Sequence, residues 1–198
     1  GKIHWAKLWY SDLGDNECRE IASWTHETIP MMVAKYKEYY LSDNATKRAN
    51  ITFIAKNLLS TNHSYGNITG GWSKSSLNTW LNTRLIKAVS PIWKSLIKKV
   101  NVTANNADKA KTTSTSECYF YIPSIYEIDP SVSYDPYSIE TDSTISFMTN
   151  DIARRRAKVS TPDQYEAYPT RSANVDQNVG TWQWGVDGGE DTPGKING

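Results

Sequence analysis

The side chains with the clearest potential for chemistry lie near the end of the chain, where amide, carboxylate and indole groups are interspersed. Trp182 and Trp184 are separated by one residue, so in a strand both indole rings would point to the same side. Neighbouring Asn and Asp side chains offer paired hydrogen bonds, and this combination suits sugar rings and protein epitopes. The predicted ligand-binding residues are Asn174, Asp176, Asn178, Trp182, Trp184 and Asp187. The alternative is that both tryptophans belong to the core and the asparagines form turns.

Signals for catalysis or metal binding are weaker. The three histidines are scattered and have neither a nearby nucleophile nor the spacing of metal ligands. Neither a nucleophile elbow, nor a phosphate-binding loop, nor a dinucleotide fingerprint is present. Asp187, Glu190 and Asp191 could hold Ca²⁺, but an acidic surface turn explains them better because EF-hand spacing is missing. We therefore expect a protein that is not an enzyme, with no catalytic residues and no cofactor.

Composition favours a binding domain rich in aromatic residues. The chain has 198 residues, a net charge of +1, eight tryptophans and twelve tyrosines. The near-neutral charge gives no reason to expect nucleic acid as a partner, and no apolar run is long enough for membrane insertion. Cys18 and Cys118 favour two buried thiols over one long-range disulfide.

Two helices are predicted in the middle of the chain. After Gly70 and Gly71, any of Ser73, Ser75 and Ser76 could cap a helix. Its apolar face is predicted to consist of Leu77, Trp80, Leu81, Leu85 and Ala88. A second helix is predicted to begin at Pro91, because proline suits the first helical turn. Its buried stripe is predicted to consist of Ile92, Trp93, Leu96, Ile97 and Val100, with Lys94, Lys98 and Lys99 in water.

The remaining sequence predicts strands, a short helix and loops. Alternating or β-branched runs predict strands at 2–10, 51–59 and 118–123 and a strand or hairpin at 28–40. Capping residues predict helices at 15–24 and after Ser124. The polar stretch 101–116 lacks periodicity and is predicted to be a mobile loop.

Two basic features have a predicted structural role. The run Arg154-Arg155-Arg156 favours a solvated turn with one structural arginine over a phosphate-binding patch. Arg171 is predicted to pin neighbouring loops through its guanidinium fork.

Several motifs together carry a family resemblance. They are Gly70-Gly71-Trp72, Trp80-Leu81-Asn82, the Lys-rich helix ending in Ile97-Lys98-Lys99-Val100, Pro123-Ser124-Ile125-Tyr126-Glu127-Ile128, the segment 145–154, and Tyr168 with Arg171 and Ser172. This order resembles an uncharacterised domain family of gut bacteria and their phages, domain of unknown function 6273. The chain departs from the family pattern at Pro169, where tryptophan is usual, and at Ala173, where proline is usual.

The resemblance implies a fold and a location for the ligand. The family is similar to the C-type-lectin-like fold of phage and bacterial ligand-binding variable proteins, in which the segment corresponding to 174–191 contacts the ligand. The resemblance thus implies an α+β, C-type-lectin-like domain with two short helices packed on small antiparallel sheets. The sequence has no Glu-Pro-Asn or Trp-Asn-Asp triplet, which argues against calcium-dependent sugar binding.

The resemblance also implies a domain organisation and a role. Residues 1–14 are similar to the closing strand of a jelly-roll lectin domain, or form a linker from it, and residues 15–198 would form the C-type-lectin-like domain without its final strand. The expected function is non-enzymatic recognition of a host-surface glycan or protein by a phage tail, receptor-binding or bacterial surface protein. The alternative is a structural assembly module within a tail or virion. Expected partners are other virion subunits and further copies of the chain, and the expected location is the virion or the cell surface.

Overall fold

Short strands and short helices alternate along the chain. The computed structural model describes residues 3–10, 25–60, 62–66, 69–106, 108, 112–131, 143–173, 181–184 and 190–191. Small antiparallel sheets and a few short helices make this an α+β fold, as predicted from the sequence. The helix predicted at 15–24, together with Cys18, lies outside the described residues.

The first sheet has strand order β1–β2–β5 and is antiparallel throughout. Its central strand is β2, Thr25–Tyr36, which pairs with β1, Ile3–Tyr10, on one side and β5, Ile51–Ala55, on the other. The three strands overlap the segments predicted from the sequence at 2–10, 28–40 and 51–59, although β2 and β5 both end earlier than expected.

The second sheet has strand order β4–β3–β6–β7. Its strands are β3, Tyr40–Leu41, β4, Asn44–Arg48, β6, Val100–Asn105, and β7, Thr113–Cys118. The prediction of a mobile loop at 101–116 is therefore wrong. Val102 and Ala104 point inward and are buried in β6, while the partner strand is made of Thr, Ser and Glu, whose polarity concealed the pairing.

The central helical region begins at two glycines. Helix α1, Gly71–Lys74, is followed by α2, Ser76–Trp80, a π-helical segment, Leu81–Leu85, and α3, Ile86–Ala88. Of the three candidate caps, Ser75 is the one used for α2, since its Oγ accepts a hydrogen bond from the Asn78 amide at 3.0 Å. The predicted face is largely confirmed, with four of its residues buried and the fifth partly buried: Leu77, Leu81, Leu85, Ala88 and, partly, Trp80.

The buried stripe predicted for the second helix is wrong at Ile92 and Leu96, while Val100 is buried and Trp93 and Ile97 are partly buried. Helix α4, Pro91–Leu96, does begin at the proline, but Ile92 and Leu96 are 76% and 67% exposed. Ile97 already has extended backbone angles, so the helix ends before its 3.6-residue period can bring Val100 onto the same face. Trp93 is partly buried, with its ring 5.5 Å from that of Phe53 in an edge-to-face arrangement.

The last part of the chain contains small elements. Helix α5, Ile125–Ile128, begins at Ser124 as predicted, and helix α6 spans Asp151–Arg154. The strand predicted at 118–123 is wrong beyond Cys118, where the chain bends. A two-stranded sheet pairs β8, Ala157–Lys158, with β9, Thr161–Tyr165. A three-stranded sheet has the order β10, Tyr168–Ala173, β11, Thr181–Trp184, and β12, Glu190–Asp191.

Buried side chains form two apolar clusters. The larger one surrounds Trp72, which is fully buried, and includes residues of the central helical region and of β6. The smaller one surrounds Ile125 and Ile128 of α5, which pack with Met148 and Tyr168. Strand β10 and helix α5 therefore share a core, and this packing fixes the position of β10 against α5.

Candidate functional site

The predicted ligand-binding residues lie in and around the last sheet. Trp182 and Trp184 belong to β11, where Trp184 pairs with Tyr168 of β10. The other four, Asn174, Asp176, Asn178 and Asp187, lie outside the described residues. The assignment of these six residues as a ligand-binding face therefore stays a prediction.

Strand β10, which precedes that segment, is held tightly in place. Thr170, Arg171 and Ser172 are all fully buried. The Arg171 amide donates to the Pro123 carbonyl at 3.0 Å, and Arg171 Nη1 donates to the Ile122 carbonyl at 3.0 Å. Ser172 Oγ accepts a hydrogen bond from the Ile125 amide at 2.9 Å. The prediction that Arg171 pins neighbouring segments is confirmed.

The carboxylate of Glu127 lies at the centre of this anchor and is 2% exposed. Its Oε1 accepts hydrogen bonds from Lys35 Nζ and Tyr39 Oη. Its Oε2 accepts from Arg171 Nη1 and, at 2.8 Å, from the Ser124 amide. We call Lys35, Tyr39, Glu127 and Arg171 the buried ion cluster. It joins β2, α5 and β10, elements that are far apart in sequence.

The cluster keeps Glu127 ionised. Burial by itself would raise the pKa of Glu127, but the opposing effect of Arg171 and Lys35 is larger and lowers it to about 2. Burial, followed by the nearby Glu127 charge, raises the pKa of Tyr121. A carboxylate has about four acceptor positions, and in Glu127 four protein donors already occupy them. Glu127 is therefore occupied as a structural anion and has no free position for acid–base chemistry.

A second buried ion pair supports the same sheet. Arg154 Nη1 lies 2.6 Å from Asp129 Oδ2, and Arg154 Nε donates to the Met148 carbonyl at 3.3 Å. Tyr168 Oη donates to the Arg154 carbonyl at 2.9 Å, and burial raises the pKa of Tyr168 to about 12. Arg156 is also buried, so the prediction of a solvated turn with a single structural arginine is wrong. The competing phosphate patch has no support either, because two of its three guanidinium groups are inside the protein.

The Gly-Gly-Trp motif fixes the beginning of the central helical region. Gly71 has φ +59°, and a Cβ there would lie 2.0 Å from the carbonyl oxygen of Asn105. Only glycine fits at such a distance, because no side chain can share that space with a backbone oxygen. The motif thus lets α1 approach β6 closely and places Trp72 in the core.

The Trp-Leu-Asn motif fixes the bend after β7. Asn82 Oδ1 accepts hydrogen bonds from the amides of Tyr119, at 2.6 Å, and Phe120, at 3.1 Å. Asn82 Nδ2 donates to the Phe120 carbonyl at 2.9 Å and to Asn78 Oδ1 at 2.8 Å. Asn82 lies in the π-helical segment, so these bonds tie that segment directly to the bend.

The Gly-Gly-Trp and Trp-Leu-Asn motifs, the Ser124–Glu127 segment and Arg171 therefore make contacts that build the fold. They define an α+β domain in which glycine, asparagine and a buried ion cluster join distant segments. Residues 39–196 match the family model described as Domain of unknown function (DUF6273), and the chain belongs to that family. No curated protein and no solved structure shows significant similarity to the chain.

Sequence reasoning missed the partners of Arg171. Ser124 and Glu127 form a capping box, whose Ser-x-x-Glu spacing is visible in the sequence and could have drawn attention to Glu127. Lys35, which contacts Glu127, carries no such signal, since it lies in a strand 92 positions before Glu127.

Thiols, metals and membrane spans add little to the site. Cys118 is a free, buried thiol, as predicted, and burial raises its pKa. Within the described ranges, no group of three or more His, Cys, Asp or Glu side chains could hold a metal ion. None of the helices in the same ranges has both the length and the apolar character of a membrane span.

Proposed function

We propose that this chain is a recognition domain that binds a host-surface glycan or protein through the segment 174–187. The observation that supports this most directly is the anchoring of β10. Its last three residues before Ala173 are fully buried and tied to α5, and the amide- and tryptophan-bearing segment follows at once. A binding segment that begins on a rigid strand loses less conformational freedom on complex formation.

The proposal includes the finer fold and the biological setting that the family resemblance implies. We propose a C-type-lectin-like arrangement, supported by a few short helices, small antiparallel sheets and membership of the family. The parent would be a phage tail, receptor-binding or bacterial surface protein on the virion or outside the cell. Other virion subunits, or further copies of the chain, would be its structural partners.

The proposed role is non-enzymatic and needs no cofactor. The buried acid with the most strongly lowered pKa, Glu127, is fully occupied by four protein donors. Fold alone does not determine function, so the role depends on the binding segment.

The test is binding to host cells by a Trp182→Ala/Trp184→Ala variant of the intact parent protein. We expect at least about tenfold weaker binding, because aromatic anchors dominate small interfaces, with little change in melting temperature. The matched control is Tyr126→Ala, which removes an aromatic side chain that is 38% exposed on α5. Unchanged binding would overturn the proposal, and so would unfolding of the tryptophan variant, since that would place both rings in the core. A glycan array with the parent protein would then name the ligand.

A second candidate function is a structural assembly module. The observation that favours it is the exposure of Ile92 and Leu96 on one short helix, because neighbouring apolar side chains in water often mark protein contacts. In that case the binding segment would be covered by another subunit, and the tryptophan variant would impair virion assembly while the assembled particles kept their affinity for cells.

A further inference from the structure

A shallow concavity of about 500 Å³ opens beside the hairpin formed by β3 and β4. None of its lining residues belongs to the predicted binding segment or to the buried ion cluster. It is lined by Lys37, Leu41, Lys47, Arg48 and Asn50. We call it the basic concavity, because three of these five residues are cations.

Arg48 is held in place at the wall of the concavity. Its Nη1 donates to the carbonyls of Lys37, at 3.2 Å, and Glu38, at 2.9 Å, and its Nη2 donates to Tyr40 Oη at 3.0 Å. The guanidinium carbon lies 4.3 Å from the centre of the Tyr40 ring. A guanidinium has five N–H donors, so two remain for a ligand after these three bonds. Because the group is already fixed, an incoming anion would lose little of its binding energy to ordering it.

The two lysines are uncompensated. Both are exposed, and neither side chain makes a hydrogen bond or ion pair with any described residue. The neighbouring carboxylate of Glu38 is engaged elsewhere, since its Oε1 accepts from the Ser143 amide at 2.7 Å. Among the described residues, no carboxylate is therefore bound to the three cations of the concavity.

Lys37 also has an unusual backbone. Its φ of +50° is the one positive value among the described non-glycine residues. This left-handed conformation costs roughly 1 kcal/mol for a residue with a Cβ, and glycine or asparagine would adopt it more easily. A lysine in this conformation is consistent with a role for its charge, because strained residues concentrate at binding sites.

Two exposed side chains belong to residues that directly precede or follow lining residues in the sequence. Tyr36 is 71% exposed and pairs across strands with Ile51, which is 42% exposed. These two residues directly adjoin Lys37 and Asn50 in sequence. An exposed tyrosine ring can stack on the C–H face of a sugar while cations bind its acidic group.

We propose that the basic concavity binds the carboxylate or sulfate group of an acidic glycan, with Arg48 as the fixed donor and Lys37 and Lys47 as the charge partners. Tyr36 would contact the sugar ring. A glycan fits better than a nucleic acid, because the cations line one concavity and the chain has a net charge of only +1. The proposal does not depend on Trp182 or Trp184.

The test measures binding of three labelled hexasaccharides: one derived from heparin, hexagalacturonate and maltohexaose. The first carries sulfate and carboxylate, the second carboxylate alone, and the third no charge. The variant is Lys37→Asn/Lys47→Gln, which removes two charges while asparagine tolerates the left-handed backbone. The matched control is Lys94→Gln/Lys98→Gln, which removes two charges from exposed lysines that do not line the concavity.

We expect the charged hexasaccharides to bind more tightly than maltohexaose, and the Lys37→Asn/Lys47→Gln variant to bind them about tenfold more weakly. The control should stay within about twofold of the parent sequence, and raising the NaCl concentration should weaken binding. Comparison of the first two probes identifies sulfate or carboxylate as the recognised group.

Three outcomes would overturn the proposal. They are equal weakening in both double variants, no preference over maltohexaose, and tighter binding of a single-stranded oligonucleotide of matched charge. The Trp182→Ala/Trp184→Ala variant should retain hexasaccharide binding, so failure of this proposal and failure of the proposed recognition face give different results.

Discussion

The carboxylate of Glu127 shows how much of this domain depends on a single side chain. It is shared by Lys35 and Arg171, and all three groups are buried. Such clusters add little stability compared with apolar packing, but removing one member leaves an uncompensated charge inside the protein. Glu127 is therefore a residue whose loss should affect β2, α5 and β10 together.

The depressed pKa of Glu127 predicts a specific acid sensitivity. The folded-state pKa of about 2 lies below the ordinary value of 4.5, so the stabilisation is complete above pH 4.5 and is lost as the pH falls towards 2. We expect Glu127→Gln to be less stable than the parent sequence at pH 7 by about 3 kcal/mol or more. Below pH 4.5 this difference in the free energy of unfolding should shrink by about 1.4 kcal/mol per pH unit.

Urea denaturation of both proteins between pH 7 and pH 3 measures this difference. All other carboxylates are common to the two proteins and cancel. As a control, Glu117→Gln alters a carboxylate that is 58% exposed and paired with Lys99, and its stability difference should stay small at every pH. A difference for Glu127→Gln that does not change with pH would show that folding does not shift the pKa of Glu127.

At the scale of elements, close backbone approach explains the Gly-Gly-Trp motif. Gly70 and Gly71 both have positive φ values, but their surroundings differ. A Cβ at Gly70 would meet the flexible Lys74 side chain at 2.5 Å, whereas a Cβ at Gly71 would meet the Asn105 carbonyl oxygen at 2.0 Å. The first neighbour can move aside and the second cannot, because it is part of β6.

We therefore predict that Gly71→Ala destabilises the protein much more than Gly70→Ala. The Gly70 variant should lose about 1 kcal/mol from its unfavourable backbone conformation. The Gly71 variant should lose about 3 kcal/mol or more, since α1 must also move away from β6. Chemical denaturation of the two variants provides the comparison, and equal losses would mean that the contact with Asn105 does not constrain the fold.

The elements also show what local sequence could predict. The central helical region was predictable because Leu77, Leu81 and Leu85 recur with helical spacing after a serine cap. The hairpin of β6 and β7 was not, because β7 consists almost wholly of polar residues and is fixed by its pairing with β6. For α4 the apolar spacing was misleading, since nothing in the period shows that the chain becomes extended at Ile97.

At the scale of the whole molecule, the candidate site was predictable only in part. The structural role of Arg171 followed from its chemistry. Its contact with Glu127, and that of Glu127 with Lys35, are tertiary contacts that no local pattern encodes. The assignment of Trp182 and Trp184 as a ligand-binding face remains a prediction, as does the domain boundary at residue 14. The basic concavity could not be recognised in the sequence, because Lys37, Lys47 and Arg48 come together only when β2 and the hairpin fold.

The exposed pair on α4 gives a prediction for the molecule as a whole. Replacing Ile92 and Leu96 with serine should change the free energy of unfolding by no more than about 0.5 kcal/mol per site, because both side chains are already mostly in water. Leu81→Ser, at a position that is 8% exposed, should lower the free energy of unfolding by about 3 kcal/mol or more. Urea denaturation measures the stability, and sedimentation of the parent assembly measures association.

The outcome for the α4 pair separates the two proposed roles. A recognition domain should keep its assembly state and its affinity for cells when Ile92 and Leu96 become serine. An assembly module should instead dissociate more readily. A large loss of stability in the isolated chain would contradict the exposure of this helix.

The pairing of Ala173 with Thr181 closes the stretch 174–180 at its base, directly after the buried residues of β10. The hydrogen bonds that join Arg171 to Ile122 and Glu127, and Ser172 to Ile125, involve none of the residues in this stretch. We therefore predict that the domain tolerates insertions and randomised peptides between Ala173 and Thr181, with melting temperatures close to that of the parent sequence, as a display scaffold requires.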